Sequence, residues 1–455
     1  MKPGVKGVLP MDRDSTAESR RFKVPLCLLL LLVGMRLGMV LAYPFLAEHS
    51  PAWAWANNDG YDTIAVNWVE TGVVSLEAGV PTALRLPLYP ALIAAAVVVA
   101  PGAYLWVVMG LQALLSIATG VLLFRLTAGL WNRRVAMIAL VVFIFHPQVN
   151  NFVFRCATET LYIFLLMGLI HQAVLFLRIR KLAPLLGAAL AMGLSLLTRQ
   201  TLVPLAWLSL LVLLIWCIRG REQWRLRLAW TAAAVATVAL VLAPWLVRNG
   251  RQCDGKWVLQ TWVGQPLCQG AYVSRHLDAF LSGQKSLTDL DQTCLTEIGL
   301  LERRIAATLP TDLSPIAREV AFDQAFRARA RDLAARAPWD RLRQTVRNLL
   351  WTPVLQMTWR STRILMCIQW PLLLFGLWGS LLAVWKDPRV PWEAWPVWVL
   401  MGYLWAAHAL AWPQARYLLP GLVPFLAFAA FGLEQGVSAA LEAVRSPQAP
   451  HPPSG

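Results

Sequence analysis

Long apolar stretches, each closed by a short polar or basic interval, repeat along nearly the whole chain. The first covers about 25–45; later ones cover 87–102, 103–124, 135–147, 157–177, 182–198, 202–218, 227–246, 364–385, 394–412 and 417–434. Their lengths approach the ~20 residues that a helix needs to cross a bilayer. The pattern predicts an all-α, polytopic transmembrane helical bundle of about 10–11 apolar segments, with no internal repeat.

Two intervals are too long for simple connectors. One is 46–86. The other is 247–363, whose second half, "IAREVAFDQAFRARARDLAARAPWDRLRQTVRNLLW", sets apolar residues at helical spacing among arginines. That half reads as one or two amphipathic helices at a membrane surface. The chain therefore divides into a polar N-terminus (1–24), an N-terminal transmembrane module (25–246) that includes loop 46–86, a loop domain (247–363), a C-terminal transmembrane part (364–435) and a Pro-rich tail (436–455) expected to be disordered. The first run is long for a signal-peptide core and reads as an uncleaved anchor. Arg36 stands near its middle, where an ionisable group is expected to face the bundle interior.

Composition agrees with this reading: 58% of the 455 residues are hydrophobic and 15% charged, against about 25% charged in soluble domains. The net charge of +16 does not indicate nucleic acid, because it collects in short loops: Arg133 and Arg134; Arg178, Arg180 and Lys181; Arg219, Arg221, Arg225 and Arg227. By the positive-inside rule these loops are cytoplasmic. Threading then puts 46–86, 148–157, 198–201, 247–363 and 413–416 outside, provided that an odd number of crossings lies between 87 and 124, where two segments are visible. The expected location is the cell (inner) membrane, with the site facing outward. Of seven cysteines, Cys253, Cys268 and Cys294 share the long loop, and a Cys253–Cys268 bridge is one open pairing.

Threading gathers the unusual polar residues on one face. Asp59, Tyr61 and Asp62 lie in "NNDGYDTIAVNW", Arg85 in "RLPLYP", Glu159 in "FRCATET", Arg199 in "LTRQT", Arg248 in "APWLVRN", and Arg416 and Tyr417 in "WPQARYLLP". Several arginines beside carboxylates are equipped to grip a phosphate through bidentate, charge-assisted bonds. Each residue also has a plainer reading. Asp59 and Asp62 match a helix N-cap with an acidic partner at N3. Arg199 and Arg416 could snorkel at span ends, Arg85 could meet head groups, and Glu159 could pair with Arg155 one turn earlier.

The order of these pieces resembles the GT-C glycosyltransferases: an acidic first outer loop, "RLPLYP", a Thr-Glu at a span start, Leu-Thr-Arg, Pro-Trp-x-x-Arg-Asn and Arg-Tyr-x-x-Pro-x-x-Pro. The resemblance spans about 25–435 and is nearest to the glycosyltransferase family 39-like group of protein O-mannosyltransferases and lipid A aminoarabinose transferases. It implies a catalytic aspartate in the first outer loop, a sugar donor carried on a polyprenyl phosphate, and bond formation on the non-cytoplasmic side. On it, Asp59 or Asp62 is catalytic, Arg85, Arg199, Arg248 and Arg416 bind the donor phosphate, and Glu159, Tyr61 and Tyr417 contact substrate. Two departures stand out. The tyrosine is shifted by one relative to the usual Asp-Tyr-x-x-Ala, and Leu86 replaces the first proline of the usual Arg-Pro-Pro.

Direct displacement at the anomeric carbon would invert it. No spacing demands a metal, although the carboxylates could hold Mg²⁺ or Mn²⁺ beside the phosphate. The implied partners are the lipid bilayer, a polyprenyl-phosphate sugar and an acceptor (lipid, glycan or protein) that no motif identifies. Two other classes compete: a polysaccharide polymerase or ligase of the envelope, and a secondary transporter, which would place its polar residues at mid-membrane.

Overall fold

The computed structural model describes residues 23–49, 59–219, 222–253 and 255–445. Asn57 and Asn58, and most of the two predicted terminal segments, fall outside these. The described residues form no strand, only helices and connecting loops with one isolated β-bridge, Ser75 to Pro81.

Among the described residues, helices run along the bundle and form a cap at one end of it. In chain order the helices up to the cap are α1 (Leu26–His49), α2 (Tyr61–Thr71), α3 (Leu88–Val99), α4 (Tyr104–Leu130), α5 (Arg133–Phe145), α6 (Pro147–Asn151), α7 (Glu159–Ile179), α8 (Leu182–Leu196), α9 (Val203–Arg219) and α10 (Trp224–Gln252). The cap follows as α11 (Gly264–Leu281), α12 (Leu287–Ala306), α13 (Pro315–Arg336) and α14 (Pro338–Trp351), and the chain returns through α15 (Trp359–Lys386), α16 (Arg389–Leu410) and α17 (Ala415–Arg445). Seven of these, α1, α4, α7, α9, α10, α15 and α17, are long and apolar enough to cross a membrane among the described residues. Helices α5 (13 residues), α8 (15 residues) and α16 (22 residues) connect them. The chain is an integral, multi-pass membrane protein.

The span parity resolves at α3. Its 12 residues reach only about 18 Å, short of the ~30 Å hydrocarbon core. Both of its ends stay at the cap side. Leu88 N donates to Leu197 O, at the end of α8 (3.2 Å), and Tyr104, just after it, is within electrostatic reach of Asp62. Tyr89 Oη on α3 bonds Gln112 Oε1 on α4 at 3.0 Å. From there α4 runs on to the opposite end, where Gly129 O accepts from Arg178 Nη2 (3.1 Å). Only α4 crosses in this stretch, so the apolar run 87–102 is not a span.

Helix α5 stops early, because Pro147 has no N–H to continue the ladder and disfavours helix at His146. The chain then takes an irregular path through 146–158, where non-helical backbone is tolerated only with internal partners. Arg36 supplies several. It is fully buried, donates from Nε to Ser116 Oγ at 2.8 Å and from Nη1 to Ile144 O at 3.4 Å, and also bonds Asn150 Oδ1. Gln112 Nε2 serves Val153 O (2.9 Å) and Arg155 O (3.3 Å). The deep charge predicted in the first span therefore faces the bundle interior and closes a broken helix end.

Helix α17 is the bundle's central post. Most of its first half is buried, and close backbone approach at Gly379 and Gly432 lets α15 lie against it. It runs to Arg445, so residues 436–445 of the predicted disordered tail are helical.

Cap and bundle are knitted together. Thr261 N donates to Ala83 O (3.1 Å), and Gln260 Nε2 to Leu84 O (2.7 Å). Glu319 on α13 accepts from Ala83 N at 2.9 Å and Thr261 Oγ1 at 2.8 Å, and also binds Thr82 Oγ1 at 2.5 Å. On the other side, a Cβ at Gly270 would fall on the carbonyl of Ala411, so α11 packs directly on the α16–α17 corner. No disulfide joins Cys253 to Cys268. Each is buried in a different apolar cluster, the first with Ile316 and Val320, the second with Ile298 and Phe326.

Candidate active site

Asp59 opens the described part of the first loop, and the chain turns into α2 at Gly60, whose φ of 72° is comfortable only for glycine. Gly60 is the N-cap and no side chain caps the helix, so the N-cap reading of the acidic pair is overturned. Asp59 instead faces Arg85. Arg85 Nε donates to Asp59 O at 2.8 Å, while Nη2 reaches Oδ1 at only 3.4 Å. The backbone is held firmly and the carboxylate loosely, and the Asp59 side chain stays 40% exposed. Asp62 sits in the first turn of α2, where its charge suits the helix dipole, and its Oδ1 accepts from Thr63 N at 2.7 Å.

Arg85 is not a head-group anchor. Its guanidinium lies over Trp262 of the cap (4.8 Å) and Tyr61 (5.7 Å). Tyr61 meets Tyr89 edge-on at 5.2 Å, and burial pushes its phenol up to about 12 despite the nearby Arg85 charge. It therefore remains a neutral hydroxyl at physiological pH.

A second cluster forms where α7, the 197–202 turn and α17 meet. Glu159 is 1% exposed and pairs with Arg199 Nη2 at 2.7 Å, not with Arg155, which donates instead to Asn151 Oδ1 (3.2 Å). Arg199 Nε also donates to Thr158 Oγ1 (2.8 Å), and its plane lies over the rings of Tyr162 (5.3 Å) and Tyr417 (5.5 Å). This is a satisfied, buried pair rather than a snorkelling end. Arg416 differs. Its Nη2 donates to Tyr417 Oη (2.5 Å) and its plane lies over that ring (4.6 Å), but its Nε is buried without a partner. No carboxylate forms an ion pair with it among the described residues, although Glu159 and Asp59 are within electrostatic reach. Tyr417 stacks on His408 at 4.7 Å and 11°.

The predicted residues thus come together at the cap end, with one exception. Arg248 Nη1 donates to Thr82 O (2.7 Å) and Asn249 Oδ1 (2.8 Å), and Nη2 to Val74 O (3.1 Å). Its fork pins the first loop through the carbonyls of Thr82 and Val74 and is spent there and on Asn249. Thr158, known from the sequence only as part of the Thr-Glu pair, joins the site, as do Trp262 and His408, which had not been singled out. Nothing distinguishes Trp262 from 22 other tryptophans in the sequence, and His408 reads as a residue near a span end. No group of three His, Cys, Asp or Glu side chains suited to a metal occurs among the described residues. Of the three site carboxylates, Asp59 and Glu159 face arginines.

Beside the second cluster, an apolar groove of about 1480 Å³ opens among α7–α10 and α16, lined at one end by Leu196 and Val203, which flank Arg199 in the chain, and at the other by Arg178, Arg180 and Glu393.

The site is a carboxylate–arginine cluster under a helical cap, at one end of a helical membrane bundle. Residues 82–247 match the model of the dolichyl-phosphate-mannose-protein mannosyltransferase family. Among solved structures, the chain is similar to the archaeal oligosaccharyltransferase AglB from Archaeoglobus fulgidus in complex with an inhibitory peptide and a dolichol-phosphate (13% identity, 93% of this chain and 52% of that one, TM-score 0.49). It is also similar to ArnT from Cupriavidus metallidurans in the apo state (14% identity, 87% and 76% covered, TM-score 0.36). The chain thus spans about half the length of that oligosaccharyltransferase. No curated protein matches it.

Proposed function

We propose that the protein transfers a sugar from a polyprenyl-phosphate carrier to an acceptor at the cap-side membrane face, with inversion at the anomeric carbon. The observation that carries this reading is the division of labour among the charges. Glu159 and Arg199 satisfy each other, which leaves Asp59 as the open carboxylate and Arg416 as the cation with donors to spare. The dolichyl-phosphate sugar in the matched family's name supports the donor class, and the apolar groove beside Arg199 offers room for the carrier's chain.

In the proposed step the acceptor's oxygen or nitrogen attacks C1 of the sugar and gives its proton to Asp59. The C1–O bond to the phosphate breaks, and the charge developing on the polyprenyl phosphate falls to Arg416 and Arg85. Arg199, locked to Glu159 and Thr158, acts as a positioning residue that holds the Tyr162 and Tyr417 rings.

The test is transfer by purified full-length protein from a set of polyprenyl-phosphate sugars to a membrane extract. Asp59→Asn is expected to bind donor and fail to transfer. Donor-independent behaviour, with no sugar phosphate consumed, would overturn the reading.

A further inference from the structure

The cap holds a second, partly open cavity, of about 900 Å³, between α11, α13 and α14, a size that suits a small ligand. Six arginines line it, Arg275, Arg327, Arg331, Arg341, Arg343 and Arg347, against two carboxylates, Asp278 and Asp340. Arg347 takes Asp278 at 2.6 Å, and Arg327 is held by Asp323 at 2.7 Å. The ion pairs among the described residues leave Arg275 and Arg343 without a carboxylate. Arg341 Nη1 and Arg347 Nε are buried with no hydrogen-bond partner. So many cations around one concavity repel one another and focus a positive potential that an anion relieves.

The cavity's position says more. Its floor is α14, which is fastened to the cap-side end of α16: Arg341 bonds Leu410 O, Asn348 Nδ2 donates to Ala409 O at 2.9 Å, and Trp405 Nε1 to Leu349 O at 2.7 Å. Facing away, Trp339, Leu342, Val346 and Leu350 form one exposed apolar stripe, 51–75% open. That is the stance of a helix lying in a bilayer interface. At the other end the lining includes Val263, whose neighbour Trp262 lies under Arg85 beside Asp59. The cavity therefore links the membrane boundary to the wall of the candidate active site.

We propose that this cavity receives the phosphate- or carboxylate-bearing head group of a lipid-anchored acceptor, which deepens and rests on the transferase reading above. An anionic head group takes the unspent guanidinium donors, its chains lie beside the stripe on α14, and its hydroxyl or amine is brought along α11 toward Asp59.

The test uses full-length protein in mixed micelles. The probe is dioleoyl phosphatidic acid, the control is dioleoyl phosphatidylcholine, inorganic phosphate is the soluble arm, and undecaprenyl phosphate reports on the donor site. Phosphatidic acid is expected to bind, to weaken steeply with salt, and to lose about tenfold or more in affinity in the exposed double variant Arg275→Ala/Arg343→Ala, which keeps undecaprenyl phosphate binding. Arg416→Ala is expected to show the converse. Equal binding of phosphatidylcholine, or an unchanged double variant, overturns the proposal. So does loss of phosphatidic acid in Arg416→Ala alone, since that lipid would then sit in the donor site. Inorganic phosphate that binds as tightly as phosphatidic acid overturns the lipid-anchored acceptor in favour of a free anion. If Arg416→Ala keeps undecaprenyl phosphate while the cavity results stand, the donor-site reading fails and the anion site survives.

Discussion

Asp59 and Asp62 are separated by one helical turn and by their environments. The Asp59 side chain caps no helix and is held only by a 3.4 Å contact with Arg85, so an amide there leaves the local packing intact but has no useful basicity. Asp59→Asn is therefore expected to fold and bind donor while transfer falls roughly 10²–10⁴-fold; Asp62→Asn, changing a first-turn residue, should lose far less. Single-turnover transfer assays on both variants check this, and full activity in Asp59→Asn removes the base. The arginines divide in the same way. Arg416→Lys keeps the charge but loses the fork, and donor affinity should drop about tenfold or more. Arg248→Lys, whose targets are the carbonyls of Thr82 and Val74, should lower thermal stability and leave donor affinity nearly unchanged. Donor titration of the two variants side by side separates a ligand-binding guanidinium from a structural one.

At the scale of elements, apolar length located nearly every traversing helix, and the basic loops indicated which ends belong together. Apolar length failed at 87–102, because a run buried against α2 and α7 on one end of the bundle reads the same as a crossing one; Tyr89 with Gln112 decides, and that pairing is not visible from either segment alone. The acidic pair misled for a related reason: Gly60 between them, free to adopt positive φ, takes the cap position that Asp59 would otherwise fill. Arg199 and Arg248 looked equivalent as span-end arginines, and only the carbonyls or carboxylates that folding brings to each tell them apart. The cap latch makes a further prediction. Burial holds the Glu319 carboxyl above its ordinary range, opposed by its hydrogen bonds to Thr82, Ala83 and Thr261. A raised value means that its contribution to stability is full below the unfolded-state pKa and is lost as pH rises through the folded one. Glu319→Gln should flatten that pH dependence of the melting temperature and cost about 1–3 kcal/mol through an imperfectly matched donor; an unchanged pH profile would rule the latch out as its source.

The whole molecule places cap, candidate site and the loops 59–87 and 411–416 at one end, and Arg133, Arg178, Lys181, Arg227 and Arg389 at the other. Cysteines introduced at 285 and 312, with native cysteines replaced by serine, should react with an impermeant maleimide added to intact cells; labelling only after lysis would invert the orientation. Arg36 has a consequence for how such a chain is made. The first span reaches the membrane with a guanidinium at mid-depth, an insertion cost of about 2.5–3.5 kcal/mol that its leucines must offset. The groups that engage it, Ser116, Ile144 O and Asn150, are translated 80 to 114 residues later. The contacts that seat α1 can therefore form only after α5 has been made and its end has closed on Arg36.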